Sequence, residues 1–109
     1  MKDLKMYING KFVESSSGKW IEVLNPSTEE VISRQPEGTV EDVNEALNAA
    51  RNAQKEWAAR PAIERAQYLQ KIANGIRKRN DEFVDIIMRE QGKTRGWAQT
   101  EVGVTADYF

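Results

Sequence analysis

The sequence predicts a mixed strand-and-helix chain in two parts: short strands and tight turns over residues 1–36, then three or four helices over residues 37–109. Three observations carry this. Asn9-Gly10 stands between two short β-prone runs in "MYINGKFV". After Thr39 the apolar residues stop alternating and recur at about 3.6-residue spacing. No Pro/Gly/Ser-rich linker, internal repeat or low-complexity tract separates the two parts.

Asn-Gly tolerates the positive φ angles of a type I′ turn, so "MYINGKFV" reads as a hairpin with a two-residue loop. "ESSSGK" is a second turn. Trp20, Glu22 and Leu24 alternate with Ile21 and Val23, the pattern of a strand. "NPSTEE" turns again, "VISRQ" makes a further strand, and Pro36 and Gly38 close the region.

Thr39-Val40-Glu41-Asp42 resembles a capping box with Asp in place of Glu at the third helical position. Val43, Ala46, Leu47, Ala50, Gln54 and Trp57 then recur at helical spacing, which predicts a helix over about residues 40–59. Pro61 suits the first position of a second helix, where its missing N–H goes unused. Ile63, Ala66, Leu69, Ile72, Ala73 and Ile76 are its expected buried stripe. Gly75 interrupts this helix at about 1 kcal/mol relative to alanine, and close helix–helix packing is the expected reason. Asn80 or Asp81 can cap a following helix with Phe83, Val84, Ile86, Ile87 and Met88 as core. The residues leave open whether 61–91 form one bent helix or two. Gly92 reads as a C-terminal stop. Thr94 can open a last helix, with Trp97, Glu101, Val104, Thr105 and Tyr108 on one face. No Gly, Asn or Pro ends it, and no basic residue complements its dipole. The helix either frays at a true C-terminus or is cut there. Tyr108-Phe109 favours the cut, because a fraying end is usually polar.

Composition narrows the chemistry. The 109 residues are 39% hydrophobic and 30% charged, with 16 Lys+Arg against 17 Asp+Glu and a net charge of −1. That balance argues against a nucleic-acid partner, which calls for a basic excess. No apolar run approaches the roughly 18 residues of a membrane span, and the first ten residues lack the apolar middle of a signal peptide. Cysteine and histidine are both absent. The chain therefore has no disulfide, no Cys/His zinc site and no Ser-His or Cys-His nucleophile pair. Catalysis by these residues alone would rest on carboxylates, Lys, Tyr or backbone amides.

The remaining motifs have plain readings. Gly92-Lys93-Thr94 lacks both the glycine of a P-loop, whose place Ile87 holds, and the preceding strand, so a helix cap and connector is expected. No G-x-G-x-x-G occurs. Arg77, Lys78 and Arg79 suit dipole compensation at a helix end better than a phosphate site. Glu64, Glu90 and Glu101 read as single helix carboxylates. Trp20, Trp57 and Trp97 read as core or interface residues, too far apart to form a stacking platform.

The order of "MYINGKFV", "VLNPSTEEVIS", "VNEALNAARNAQKEWAARPAIERAQYLQKIANGI" and "EQGKT…AQTEV…ADYF" resembles the N-terminal part of an NAD(P)-dependent aldehyde dehydrogenase. Within the family it is most similar to bacterial lactaldehyde and glycolaldehyde dehydrogenases. The likeness covers nearly the whole chain, and its specificity lies in the ordered combination. It implies an α/β parent with a Rossmann-like cofactor domain, of which residues 1–109 are an N-terminal part incomplete at the C-terminal end. It implies oxidation of an aldehyde, a small (hydroxy)aldehyde, to a carboxylic acid with NAD or NADP. In that chemistry a Cys thiolate attacks the carbonyl, hydride passes to the nicotinamide, and a Glu-activated water hydrolyses the thioester. The family's Cys, Glu, Asn and cofactor loop lie downstream, so this segment has no catalytic or cofactor-binding residue to carry over. A structural monovalent cation in some members implies a backbone carbonyl from Val23 or Leu24 and the Glu101 carboxylate, with Leu24 and Glu101 as the candidate pair; the plainer reading of Glu101 is an ordinary helix carboxylate. The implied partners are the remainder of the parent chain, an aldehyde and further copies in a homo-oligomer, with neither nucleic acid nor membrane and a cytoplasmic location. The rival reading is a self-standing α+β interaction module that binds a protein through its apolar last helix.

Overall fold

Turn chemistry in the first third and capping chemistry in the rest divide the chain into short strands and four helices. The computed structural model describes residues 2–109. The strands are β1 (Lys2–Asp3), β2 (Met6–Ile8), β3 (Lys11–Val13), β4 (Trp20–Leu24) and β5 (Val31–Pro36). The helices are α1 (Val40–Ala59), α2 (Ala62–Lys78), α3 (Asn80–Gln91) and α4 (Arg95–Asp107). Residues 2–24 with 30–59 make one compact unit, and residues 25–29 with 60–109 make a second.

In the first unit β2 and β3 form the expected hairpin, with Ile8 opposite Lys11. Asn9 and Gly10 both take positive φ, 50° and 76°, as a type I′ turn requires. Ile8 is buried, while Tyr7 and Phe12 pair across the exposed face with ring centroids 5.0 Å apart. A separate sheet has the order β1-β5-β4. β4 runs antiparallel to β5, and β1 adds in parallel through Lys2↔Ser33 and Asp3↔Arg34. A two-residue strand has no period to read, so the sequence did not announce β1. Its register is marked by a fork: Arg34 Nε and Nη2 donate to the two Asp3 oxygens at 2.9 and 2.8 Å. The same guanidinium lies 5.4 Å from the Trp20 ring centroid.

The capping box is formed, and it is larger than its four residues. Thr39 N–H donates to Asp42 Oδ2 at 2.9 Å, and Asp42 N–H donates to Thr39 Oγ1 at 3.2 Å. Ser16 N–H reaches both Asp42 oxygens at 3.2 Å, and Ser15 Oγ lies 3.1 Å from Oδ2. One buried carboxylate thereby joins the turn after β3 to the first turn of α1. Donation from the Thr39 N–H, with the Ser16 and Ser15 donors, outweighs burial and lowers the Asp42 carboxyl to about 2.

The second unit is built on a seam between α3 and α4. Val84 is 0% exposed and clusters with Ala98 and Val102, with Ile76, Phe83, Ile87 and Met88 packed around them. The buried edge of α4 is Ala98, Val102 and Ala106, not the face of Trp97, Glu101, Val104 and Tyr108 that the sequence brings forward. Trp97 is 71% and Tyr108 85% exposed. Small side chains at i, i+4 and i+8 let two helices approach closely, and bulky ones do not. The expected stripes of α1 and α2 are also largely open: Leu47 is 59% and Ile63 68% exposed, while Ala73 is buried. Their spacing is helical, but no described residue covers them.

Residues 61–91 form two helices. Arg79 sits between them at φ −105°, ψ 23°, and its guanidinium holds Glu82 in α3 at 2.8 and 2.6 Å. Pro61 caps α2 and does not start it; its carbonyl accepts the Glu64 and Arg65 N–H groups. Gly92 ends α3 in the left-handed region at φ 65°, its N–H donating to the Met88 carbonyl at 3.0 Å. A Cβ there would meet Ser27 Oγ at 3.1 Å and Pro26 Cγ at 3.2 Å. At Gly75 a Cβ would meet nothing within 4 Å, so close packing does not explain that glycine. Arg77 to Asp107 and Arg95 to Asp85, both at 2.7 Å, tie the two ends of α4 to α2 and α3.

Two glycines should therefore respond to alanine with opposite signs. Gly75→Ala is expected to stabilise by about 0.5–1 kcal/mol, because it removes unfolded-state freedom without a clash. Gly92→Ala is expected to destabilise by about 1–2 kcal/mol from the left-handed backbone alone. Urea titration of both variants checks this.

Asp42 sets an acid limit. Its folded pKa, about 2, lies below the ordinary 3.8, so the unfolded chain takes up the proton first. The stabilisation is complete above about pH 4, falls as pH drops through 3.8 toward 2, and is then gone. The urea midpoint should fall across that window, and Asp42→Asn should flatten the fall.

Candidate functional site

Without cysteine or histidine, the search for chemistry reduces to carboxylates, lysines, hydroxyls and helix ends. Gly92-Lys93-Thr94 is a cap followed by a connector. Thr94 is extended at φ −68°, ψ 152°, and its side chain makes no cap bond; its carbonyl accepts the Ala98 N–H at 3.0 Å. The Lys93 ammonium is turned onto the Glu101 carboxylate, with which it forms an ion pair.

The basic run is likewise committed. Arg77 holds Asp107 and Arg79 holds Glu82, which leaves Lys78 alone of the three as a cation for a phosphate. Glu64 and Glu90 are exposed single carboxylates. Among the described residues no three His, Cys, Asp or Glu side chains gather as a metal cluster. Leu24, put forward for its carbonyl, ends β4 in the first unit, and Glu101 lies on α4 in the second.

What the surface does offer is apolar. An open groove of about 390 Å³ on the second unit is lined by Lys93, Thr94, Trp97, Thr100, Glu101 and Val104. Three of its polar side chains are bonded: Lys93 with Glu101, and Thr100 Oγ1 with the Gly96 carbonyl at 3.1 Å. What remains for a ligand is the Thr94 hydroxyl, the indole of Trp97 and the methyls of Val104, a largely apolar surface. A second groove of about 500 Å³ follows α1 beside Leu47, Ala50, Gln54 and Trp57. A smaller notch of about 130 Å³ lies between Ile76, Phe83, Ile87, Val102 and Thr105. Two buried polar atoms, Ser33 Oγ and Arg65 Nε, have no partner among the described residues, and neither lines these three grooves.

Two arrangements had no signal in the sequence. The Ser15 and Ser16 donors to Asp42 are 27 and 26 residues away from it, and "ESSSGK" announces a turn without saying what it meets. The Lys93–Glu101 pair spans eight residues across the break before α4, so helical spacing cannot find it. Among the described residues no helix is long and apolar enough to cross a membrane.

The aldehyde dehydrogenase family model matches residues 12–109. Over 104 residues, 95% of the chain, it is 52% identical to the lactaldehyde dehydrogenase of Escherichia coli K12, covering 22% of that protein. It is 37% identical over its whole length to the 3,6-anhydro-alpha-L-galactose dehydrogenase of Vibrio sp. EJY3, covering 23% of that one. A solved lactaldehyde dehydrogenase superposes with a TM-score of 0.94 at 50% identity, over 98% of this chain and 22% of that one. An NADP-complexed glyceraldehyde-3-phosphate dehydrogenase of Bacillus halodurans C-125 gives 0.93 at 33% identity, over 96% and 22%. The chain thus spans about a fifth of the length of the relatives it matches.

The exposure of the α4 groove has an optical consequence. Trp97→Phe should remove the largest share of acrylamide-quenchable fluorescence, more than Trp20→Phe or Trp57→Phe. Unchanged quenching in the Trp97 variant would mean the groove is covered.

Proposed function

We propose, for a chain that belongs to the aldehyde dehydrogenase family, that residues 1–109 serve as the N-terminal part of the cofactor-binding domain of an enzyme oxidising a small (hydroxy)aldehyde to its acid with NAD or NADP. The observation that carries this reading is 52% identity to a lactaldehyde dehydrogenase over 95% of the chain, with a solved lactaldehyde dehydrogenase superposing at a TM-score of 0.94. At a TM-score of 0.94 over 98% of the chain the backbone path is shared.

The residues on hand do not fit a dinucleotide by themselves. No glycine-rich turn follows a strand in the fingerprint spacing, and the Gly92-Lys93-Thr94 connector commits its ammonium to Glu101. Thiolate chemistry is equally outside a chain with no cysteine. Its role in this reading is structural: a capped strand–helix unit and a three-helix unit whose apolar faces present Leu47, Ile63 and Trp97 outward. The proposal takes the remainder of the parent chain as the partner of those faces, and the complete enzyme as a cytoplasmic homo-oligomer. A monovalent-cation role for Leu24 and Glu101 rests on the family resemblance alone.

The rival, a self-standing interaction module, draws on the same exposed last helix, and one exchange separates the two. Residues 1–109 would replace the matching segment of the Escherichia coli lactaldehyde dehydrogenase. The proposal expects a soluble chimaera that reduces NAD with lactaldehyde at a rate within about ten-fold of the parent, an energetic cost of no more than about 1.4 kcal/mol. The 109-residue chain alone is expected to be inactive. A folded chimaera that binds NAD and turns over no aldehyde would contradict the proposal.

A further inference from the structure

We infer that Asn9 is a site of spontaneous deamidation in this chain, and that the fold confines the reaction to it. The sequence holds two Asn-Gly pairs, Asn9-Gly10 and Asn74-Gly75. Glycine after asparagine is the arrangement most open to this chemistry, because no Cβ shields the following nitrogen. In the reaction the Gly10 backbone nitrogen attacks Asn9 Cγ. The N–Cγ bond forms, the Cγ–Nδ2 bond breaks, and ammonia leaves with the amide proton. Water then opens the succinimide at either carbonyl, giving aspartate or isoaspartate. No electron is gained or lost, and water is the one co-reactant. Asn25, the asparagine of the Asn25-Pro26 turn, cannot react this way, since proline has no N–H to give up.

The structure treats the two pairs differently. Asn9 and Gly10 form the loop of the β2–β3 hairpin, and both are exposed. A Cβ on Gly10 would meet nothing within 4 Å, so the approach to its nitrogen is open. Neither residue makes a side-chain or loop hydrogen bond among the described residues. Ring closure needs Asn9 to turn about its Cα–C and Cα–Cβ bonds, which brings the Gly10 nitrogen onto Cγ and disturbs the turn. A hairpin of two three-residue strands, paired only with each other, opens readily enough to permit that. Asn74-Gly75 lies inside the 17-residue α2. There the Gly75 N–H belongs to the helix ladder, the Gly75 carbonyl accepts the Arg79 N–H, and Asn74 Oδ1 accepts Gln70 Nε2 at 3.1 Å. Reaction at Asn74 requires unwinding a helix; reaction at Asn9 requires loosening one turn.

The consequence is local and directional. Either product adds a negative charge at the hairpin tip. Isoaspartate also lengthens the main chain by one methylene inside a two-residue loop, which takes Ile8, the buried residue of the hairpin, out of register with Lys11.

The test incubates the 109-residue chain in mildly alkaline buffer and follows tryptic peptides 6–11 and 72–77 by mass spectrometry, with a parallel sample in urea. The expected result is conversion of Asn9 at least about ten-fold faster than Asn74 in the native chain, a ratio set by the difference in local opening. In urea the advantage of Asn9 should disappear, since the branched Ile8 before it, against Ala73 before Asn74, hinders Asn9 when no fold intervenes. Equal native rates, or an advantage for Asn9 that persists in urea, would overturn the inference. Chromatography against the Asn9→Asp variant separates the aspartate product from isoaspartate.

Discussion

The close approach of α3 and α4 is the constraint on which the second unit depends. Val84 is fully enclosed against Ala98 and Val102, and the short Ala98 side chain leaves room for that approach. Once Ala98 and Val102 occupy the seam, the helical period places Trp97, Val104 and Tyr108 elsewhere on the cylinder. The inward choice of small residues and the outward display of large ones are one geometric fact. Exposed ion pairs link the two ends of α4 to α2 and α3, and a left-handed cap at Gly92 ends α3 before the connector. In the first unit the comparable hub is polar: the Asp42 carboxylate satisfies the donors of a turn and a helix start together.

Most of the fold's punctuation was legible in the sequence because its causes are local. Asn9-Gly10 dictated its turn, Thr39 and Asp42 their cap, and Gly92 its stop, each through chemistry within a few residues. Burial was less legible, because it depends on what lies opposite. The α2 stripe of Ile63, Leu69 and Ile72 has correct helical spacing and yet stays exposed. Gly75 looked like a packing glycine and has open space before it. The face of Trp97, Val104 and Tyr108 is open, as a last helix in want of a cover would leave it, while the buried edge of Ala98, Val102 and Ala106 had no apolar bulk to announce it. Among the candidate site residues, Glu101 was placed on its helix correctly, but its Lys93 partner across the connector had no periodic signature.

Family membership can rest on scaffold alone. A dehydrogenase places its nucleophile and cofactor contacts on a scaffold, and the scaffold is recognised by fold and packing while function lies in the site. Here the described features are those of scaffold: caps, turns, a seam and committed ion pairs. The groups that might have suggested chemistry are engaged with one another, Lys93 with Glu101, Arg77 with Asp107, Arg79 with Glu82. Open apolar surface runs along α1, the outer side of α2 and the Trp97 face of α4.

That asymmetry, small residues sealed and large ones displayed, is the central claim, and its direct measurement is sedimentation of the 109-residue chain over a range of concentrations with an apolar fluorescent dye present. The account predicts dye binding at low concentration and association that grows with concentration, because exposed apolar faces of this extent seek cover. A monomer at every concentration that leaves the dye dark would contradict it.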